Sequence, residues 1–158
     1  MVITGLKQQQ ENKKITSLLD KQLSYQRYKY PKKAYKTVKI PKKIQYLPNI
    51  PNKDKFMINV IKTKLPGIVT FREKIKINKK PKNWHYILKK HNLCHLCVIE
   101  RHGKNKGYAY GFIQNFNLKQ GAVASSVGHD AHNLIVAGLN ENDMKIAIKT
   151  IKKLQGGI

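Results

Sequence analysis

The sequence predicts an α+β fold: a small, mostly antiparallel sheet with a C-terminal amphipathic helix, preceded by a proline-rich connector and a strand pair. Three observations carry this expectation. Residues 140–155 show one apolar stripe at helical spacing behind a capping residue. Short runs of β-branched and alternating residues recur between residues 93 and 138, separated by glycine, asparagine and lysine. Upstream, Pro31, Pro41, Pro48 and Pro51 punctuate a lysine-rich stretch without periodicity. The boundary this suggests puts residues 1–52 in an N-terminal segment with its connector and residues 53–158 in the folded domain.

Taken in order, residues 1–28 are polar and glutamine-rich, with a short helix expected around Ile15–Leu23. The connector "YKYPKKAYKTVKIPKKIQYLPNIPNK" comes next, and each proline removes a backbone donor and disfavours helix before it. It reads as extended chain outside the core. Two strand-like runs, Met57–Lys62 and Ile68–Ile75, flank Leu65-Pro66-Gly67, a strong turn signal, so a strand–turn–strand unit is expected. A loop then leads to a short element near Trp84. "LCHLCVIERHG", "GYAYGFIQNFN", "GAVASSV" and "NLIVAG" read as four more strands. The last element is a helix. Asn140 caps it, with Asp143 three residues on. Met144, Ala147, Ile148, Ile151 and Leu154 form its apolar stripe, and Gly156-Gly157 stops it. Ile158, after that glycine pair, reads as the start of a further strand.

The net charge of +24 points first to a polyanionic partner. All but three of the 32 basic residues are lysine, however, and the forked guanidinium that reads base edges is nearly absent. The charge is also uneven: residues 1–93 hold 24 basic and 4 acidic groups, residues 94–158 only 8 and 4. Lysine here accompanies abundant asparagine and isoleucine, the mark of A/T-rich codons. No run of 18 apolar residues exists, so no membrane span is expected, and "MVITGLKQQQENKK" lacks the apolar core of a signal peptide. Two cysteines make no disulfide framework, and the cytoplasm is the expected compartment.

Several clusters carry potential chemistry. Cys94-His95-Leu96-Cys97, with His91 nearby, has a metal-like spacing but no second cysteine pair, and in a strand cysteine behaves as a small hydrophobe. Glycines 103, 107 and 111 match no phosphate-loop order. Glu100, Arg101 and His102 end a strand, either as a site or as a solvated terminus with an ion pair. The densest cluster, "AVASSVGHDAHNLIVAG", holds Ser125, Ser126, His129, Asp130, His132 and Asn133 between apolar runs. An unpaired polar group buried there would cost about 1–3 kcal/mol. Either the segment satisfies itself at a tight connection, or it lines a cleft where aspartate beside histidine fixes an imidazole tautomer.

"CVIERHGKNKGYAYGFIQNFNLKQGAVASSVGHDAHNLIVAGLNENDMKIAIKTI" resembles the C-terminal domain of bacterial adenine deaminases. The resemblance rests on the order of its motifs: a strand into E-R-H, a glycine-spaced strand, "ASSV-x-HD-x-HN", an apolar strand, and a helix opening N-x-x-D-M. It spans Leu96–Gly157, and "YPKKAYKTVKIP" and "INVIKTKLPGIVTFRE" look like the family's linker and strand pair. Ala131 stands where the family usually has serine, and Asn115 and Asn117 replace expected glycines.

The resemblance implies an amidohydrolase that converts adenine to hypoxanthine and ammonia, with manganese or iron in a preceding (β/α) barrel. This chain has no H-x-H pair and no room for a barrel of about 250 residues. A C-terminal piece is therefore expected, cut at its N-side and at Ile158, whether as a fragment, a decayed gene or a split subunit. Alone, it is expected to bind no metal and to be inactive. Its implied partners are adenine in the intact enzyme and a barrel-bearing chain or domain, with a homo-oligomer left open and neither membrane nor nucleic acid implied. Glu100, Arg101, His102, Ser125, Ser126, His129, Asp130, His132 and Asn133 would shape the purine site. The alternatives from other classes are a basic nucleic-acid-binding protein, motivated by the charge, and a pseudoenzyme or interaction domain.

Overall fold

A computed structural model describes residues 36–63, 69–129 and 131–158. The helix expected around Ile15–Leu23 and the turn at Pro66-Gly67 lie outside these residues. The elements are β1 (Phe56–Thr63), β2 (Thr70–Ile77), α1 (Trp84–His91), β3 (Leu93–Ile99), β4 (Tyr108–Gln114), β5 (Ala122–Ser125), β6 (Leu134–Gly138) and α2 (Glu141–Leu154). They build one six-stranded sheet in the order β2-β1-β4-β3-β6-β5. Every pairing is antiparallel except β1 with β4, where Val60 lies beside Phe112. The α+β class and the mostly antiparallel sheet are therefore present. The second strand runs to Ile77, two residues beyond the expected Ile75, and the element near Trp84 is a full helix.

One face of the sheet makes the core. Alternation places Ile58, Val60, Leu93, Cys97, Ile99, Phe112, Leu134 and Val136 on that face, all buried. Both helices lie over it. Trp84, Ile87 and Leu88 of α1 close one end, while Met144, Ile148 and Ile151 of α2 close the other. Each such side chain gains about 1.5–3 kcal/mol by leaving water. The opposite face leaves Met57, Ile61, Val123 and Ile135 exposed. Among the described residues no helix is long and apolar enough to cross a membrane.

The C-terminal helix forms as its sequence directs. The Asp143 N–H donates to Asn140 Oδ1 at 2.9 Å, and Asn140 Nδ2 donates to Asp143 Oδ2 at 2.6 Å. Its stripe is shorter than expected, because Leu154 is 69% exposed. Gly138 lets α2 approach: a Cβ there would stand 2.5 Å from Met144 Cγ and 2.9 Å from Ala122 Cβ. Residues 156–158 carry no regular structure, although the Ser126 N–H donates to Gly157 O at 2.9 Å beside the edge strand β5.

The connector corrects an expectation. Residues 36–55 are irregular, as the prolines require, yet Val38 and Tyr46 are buried in the core under α2. The Val38 N–H donates to Gln155 Oε1 at 3.1 Å and the Lys39 N–H to Arg101 O at 2.7 Å. Proline forbids a ladder, not burial.

Candidate functional site at the end of the central strand

Strand β3 runs out into Glu100, Arg101 and His102, and the β5–β6 loop arrives at the same place. Glu100 turns the chain. Its carboxylate accepts from the backbone N–H groups of His102 at 2.6 Å, Gly103 at 3.2 Å and Lys106 at 3.2 Å. Desolvation raises its pKa, but the donors of His102, Lys104, Lys106 and Asn105 outweigh that and hold it below the usual carboxylate range. Gly103, at φ +77°, supplies the left-handed backbone the turn needs. A Cβ there would also meet Lys39 Cδ at 2.9 Å, where the connector bridges His102.

Arg101 and His102 join the two motifs that the sequence keeps 27 residues or more apart. Arg101 Nε donates to His132 O, and Arg101 Nη1 donates to Thr37 Oγ1 at 3.2 Å. His102 Nε2 lies 3.0 Å from Ala131 O. A carbonyl only accepts, so this contact places the ring proton on Nε2 and leaves Nδ1 of a neutral ring as an acceptor. His132 sits at φ 46°, and the Ala131 N–H donates back to His129 O at 2.9 Å, so the loop folds tightly on itself. His129 and His132 are exposed, Asn133 half-buried, and Asp130 lies outside the described residues.

The two serines go elsewhere. Ser125 Oγ accepts from the Val127 N–H at 3.0 Å and closes a local turn. Ser126 is buried and accepts from the Gly157 N–H at 2.9 Å, tying the last residues to β5. Neither hydroxyl is directed to Arg101 or His102.

The cysteines lie within β3, as their surroundings suggested. Three residues apart in a strand, Cys94 and Cys97 point to opposite faces. Burial raises the pKa of Cys94 and pushes that of Cys97 up to about 12, so both stay protonated. Among the described residues no group of three or more His, Cys, Asp or Glu side chains is arranged to hold a metal ion.

His95 stands inside the cysteine motif, whose spacing gives no reason to single it out. It shares the inward face with Leu93, Cys97 and Ile99 and is 1% exposed. Burial pulls its pKa down to about 4, and its Nδ1 has no hydrogen-bond partner. The ring meets Trp84 edge-on at 6.3 Å and Phe112 at 5.4 Å between centroids. The signal that could have found it is parity: residues 93, 95, 97 and 99 form one series, and only one of them is polar.

Residues 67–158 match the family model described as adenine deaminase C-terminal domain. Adenine deaminase 2 of Bradyrhizobium sp. (strain ORS 278) is 54% identical over 147 residues, 92% of this chain and 24% of that protein. An adenine deaminase of Chelativorans sp. (strain BNC1) is 51% identical over 150 residues, 94% of this chain and 24% of that protein. The chain thus spans about a quarter of the length of the curated relatives it matches. With the family model covering more than half of the chain, and with a strand-end cluster that joins the E-R-H and HD-x-HN motifs in space, this chain belongs to the adenine deaminase family through its C-terminal domain.

Proposed function

We propose that this chain serves as the C-terminal domain of an adenine deaminase that hydrolyses adenine to hypoxanthine and ammonia, in cytoplasmic purine salvage. The identity to adenine deaminases over nearly the whole chain carries this reading. In the reaction, water adds to the ring carbon bearing the amino group, the carbon–nitrogen bond breaks, and the nitrogen leaves as ammonia. The manganese or iron that the resemblance implies is assigned, in this reading, to a preceding barrel, where it would activate the attacking water.

This domain would contribute shape at the substrate site. Glu100 fixes the turn after β3, Arg101 holds the His132 carbonyl, and His102, against the Ala131 carbonyl, presents an imidazole of set tautomer. His129, His132 and Asn133 stand on the loop that Arg101 pins, with Asp130 between them in sequence. Such pre-set groups lower the reorganisation needed when substrate arrives.

Two measurements test the reading. A chimera in which this chain replaces the matching C-terminal quarter of Bradyrhizobium adenine deaminase 2 should form hypoxanthine from adenine, and a folded but inert chimera would refute it. The 158-residue chain alone, supplied with manganese, iron or zinc, should form none.

A further inference from the structure

Both helices lie on one face of the sheet, and the other face is bare. Register places Ile61 beside Ile113, Gly111 beside Leu96 and Val98 beside Ile135 on that bare side. Along β1, β4, β3, β6 and β5 it carries no charged residue, in a chain where a quarter of the residues are charged. We propose that this apolar face is the docking surface for the remaining part of an adenine deaminase polypeptide, which meets it with an apolar surface bearing carboxylates opposite β2. The proposal rests on reading this chain as the C-terminal domain of such an enzyme.

An antiparallel sheet that keeps one face in water alternates apolar inward with polar outward, and these five strands do not. Gly111 is the more specific sign. It lies inside β4 without a left-handed backbone, and a Cβ built there would meet nothing within 4 Å. Among the described residues nothing requires glycine at this position, and glycine in a strand interior weakens the strand. Close approach by an outside surface accounts for it. Ala109, two residues earlier on the same side, is also small, so β4 forms a trough beside Leu96 and Val98.

Size and charge choose the occupant. With strands about 4.8 Å apart and residues about 3.3 Å along them, five strands present a face of about 24 Å by about 20 Å, roughly 500 Å². A separate partner or a second copy that binds stably covers about 800 Å² on each side, more than this face offers. Domains of one polypeptide hold together through about 600–1,500 Å² counted over both sides, because the covalent link keeps their local concentration high. The relatives carry about three quarters of their length outside the matched region, ample chain to supply that surface. Among the six strands, charge on this side comes from the edge strand β2 alone, as Arg72, Lys74 and Lys76. Glu73 points to the other side and pairs with Lys62 at 2.9 Å. A second copy would bring three more cations and no acid to the contact, whereas carboxylates on the rest of the enzyme would complete it.

The test is cysteine alkylation by iodoacetamide at two exposed positions, Ala109→Cys on the bare face and Lys149→Cys on α2, read by peptide mass spectrometry. Each variant is made in the 158-residue chain and in the Bradyrhizobium chimera, and adenine hydrolysis is assayed separately. In the chain both positions should react at similar rates. In the chimera A109C should react at least about tenfold more slowly, with K149C unchanged. Equal A109C rates in chain and chimera, or protection of K149C instead, would overturn the proposal. So would protection of A109C in the chain alone, the sign of a second copy. A chimera protected at A109C yet inert towards adenine would support docking and refute the functional reading, so the two fail separately. Gly111→Val gives an independent answer should A109C fail to fold. It should hold or raise Tm in the chain, where the space is open, and lower Tm in the chimera, where the surfaces would clash. An equal loss of Tm in both would assign the glycine to the strand itself and overturn the proposal.

Discussion

The strand-end cluster and the buried His95 are two ways of placing polar groups on the same strand. At the end of β3 the sequence crowds ionisable residues together, and the structure gives each of them a partner: Glu100 three backbone N–H groups of its own turn, Arg101 the His132 carbonyl and the Thr37 hydroxyl, His102 the Ala131 carbonyl. In the middle of β3 a single polar residue sits in an apolar series and has an unbonded nitrogen. Density of polar residues therefore marks the place where the backbone needed holding. Isolation marks the place where hydrogen-bonding capacity remains. The difference comes from exposure. Water stabilises a crowded strand end whether or not the groups are paired, but in the core an unmet group costs about 1–3 kcal/mol.

This contrast can be broken most sharply in the core around His95, at Trp84. Trp84→Ala should lower the unfolding free energy by about 3–5 kcal/mol in urea titrations, since a buried aromatic ring is lost from the core under α1. A cost under about 1 kcal/mol would mean the ring is not packed as described.

Acid sharpens the comparison next. The unfolded His95 imidazole takes a proton near pH 6.5 and the folded one only near 4. Between those values the unfolded chain binds more protons, so the stability conferred by the neutral ring is complete above pH 6.5 and drains away as pH falls towards 4. The loss is about 3 kcal/mol. The difference between wild type and His95→Leu, measured by denaturation at pH 7 and pH 4, isolates this contribution. At pH 7 the variant should be at least as stable as wild type, because the orphaned nitrogen is gone.

The strand end should respond more weakly. Ser126→Ala removes the hydroxyl that receives the Gly157 N–H and should cost about 1 kcal/mol in thermal unfolding. Glu100→Gln should leave global stability within error, because the group is exposed, while hydrogen exchange at His102, Gly103 and Lys106 quickens. Unchanged exchange would show that the carboxylate does not hold the turn.

The sequence was informative where local rules act without competition. Asn140, Asp143 and the apolar stripe set the last helix almost to the residue, and strand alternation located β3 to β6. Leu154, the last residue of α2, lies in the stripe by spacing and is nevertheless exposed, so spacing alone overstates burial. Val38 and Tyr46 were illegible for the opposite reason: nothing periodic surrounds them, and their burial is decided by α2 and β3, elements distant in sequence. Glu100, Arg101 and His102 were recognisable as a cluster from their succession, yet the pairing of Arg101 with His132 and of His102 with Ala131 depends on β3 and β6 lying side by side. Thr37, which receives Arg101, carries no local signal at all.

If the strand-end cluster faces substrate as proposed, its integrity should matter to turnover more than to folding. The most direct measurement is adenine hydrolysis by the Bradyrhizobium chimera carrying Arg101→Ala, with kcat, KM and Tm determined together. The expected result is a fall in kcat of about tenfold or more, with Tm lowered by only a few degrees. A chimera that keeps its kcat while losing Tm would contradict the claim and leave Arg101 as a fastener of the fold alone.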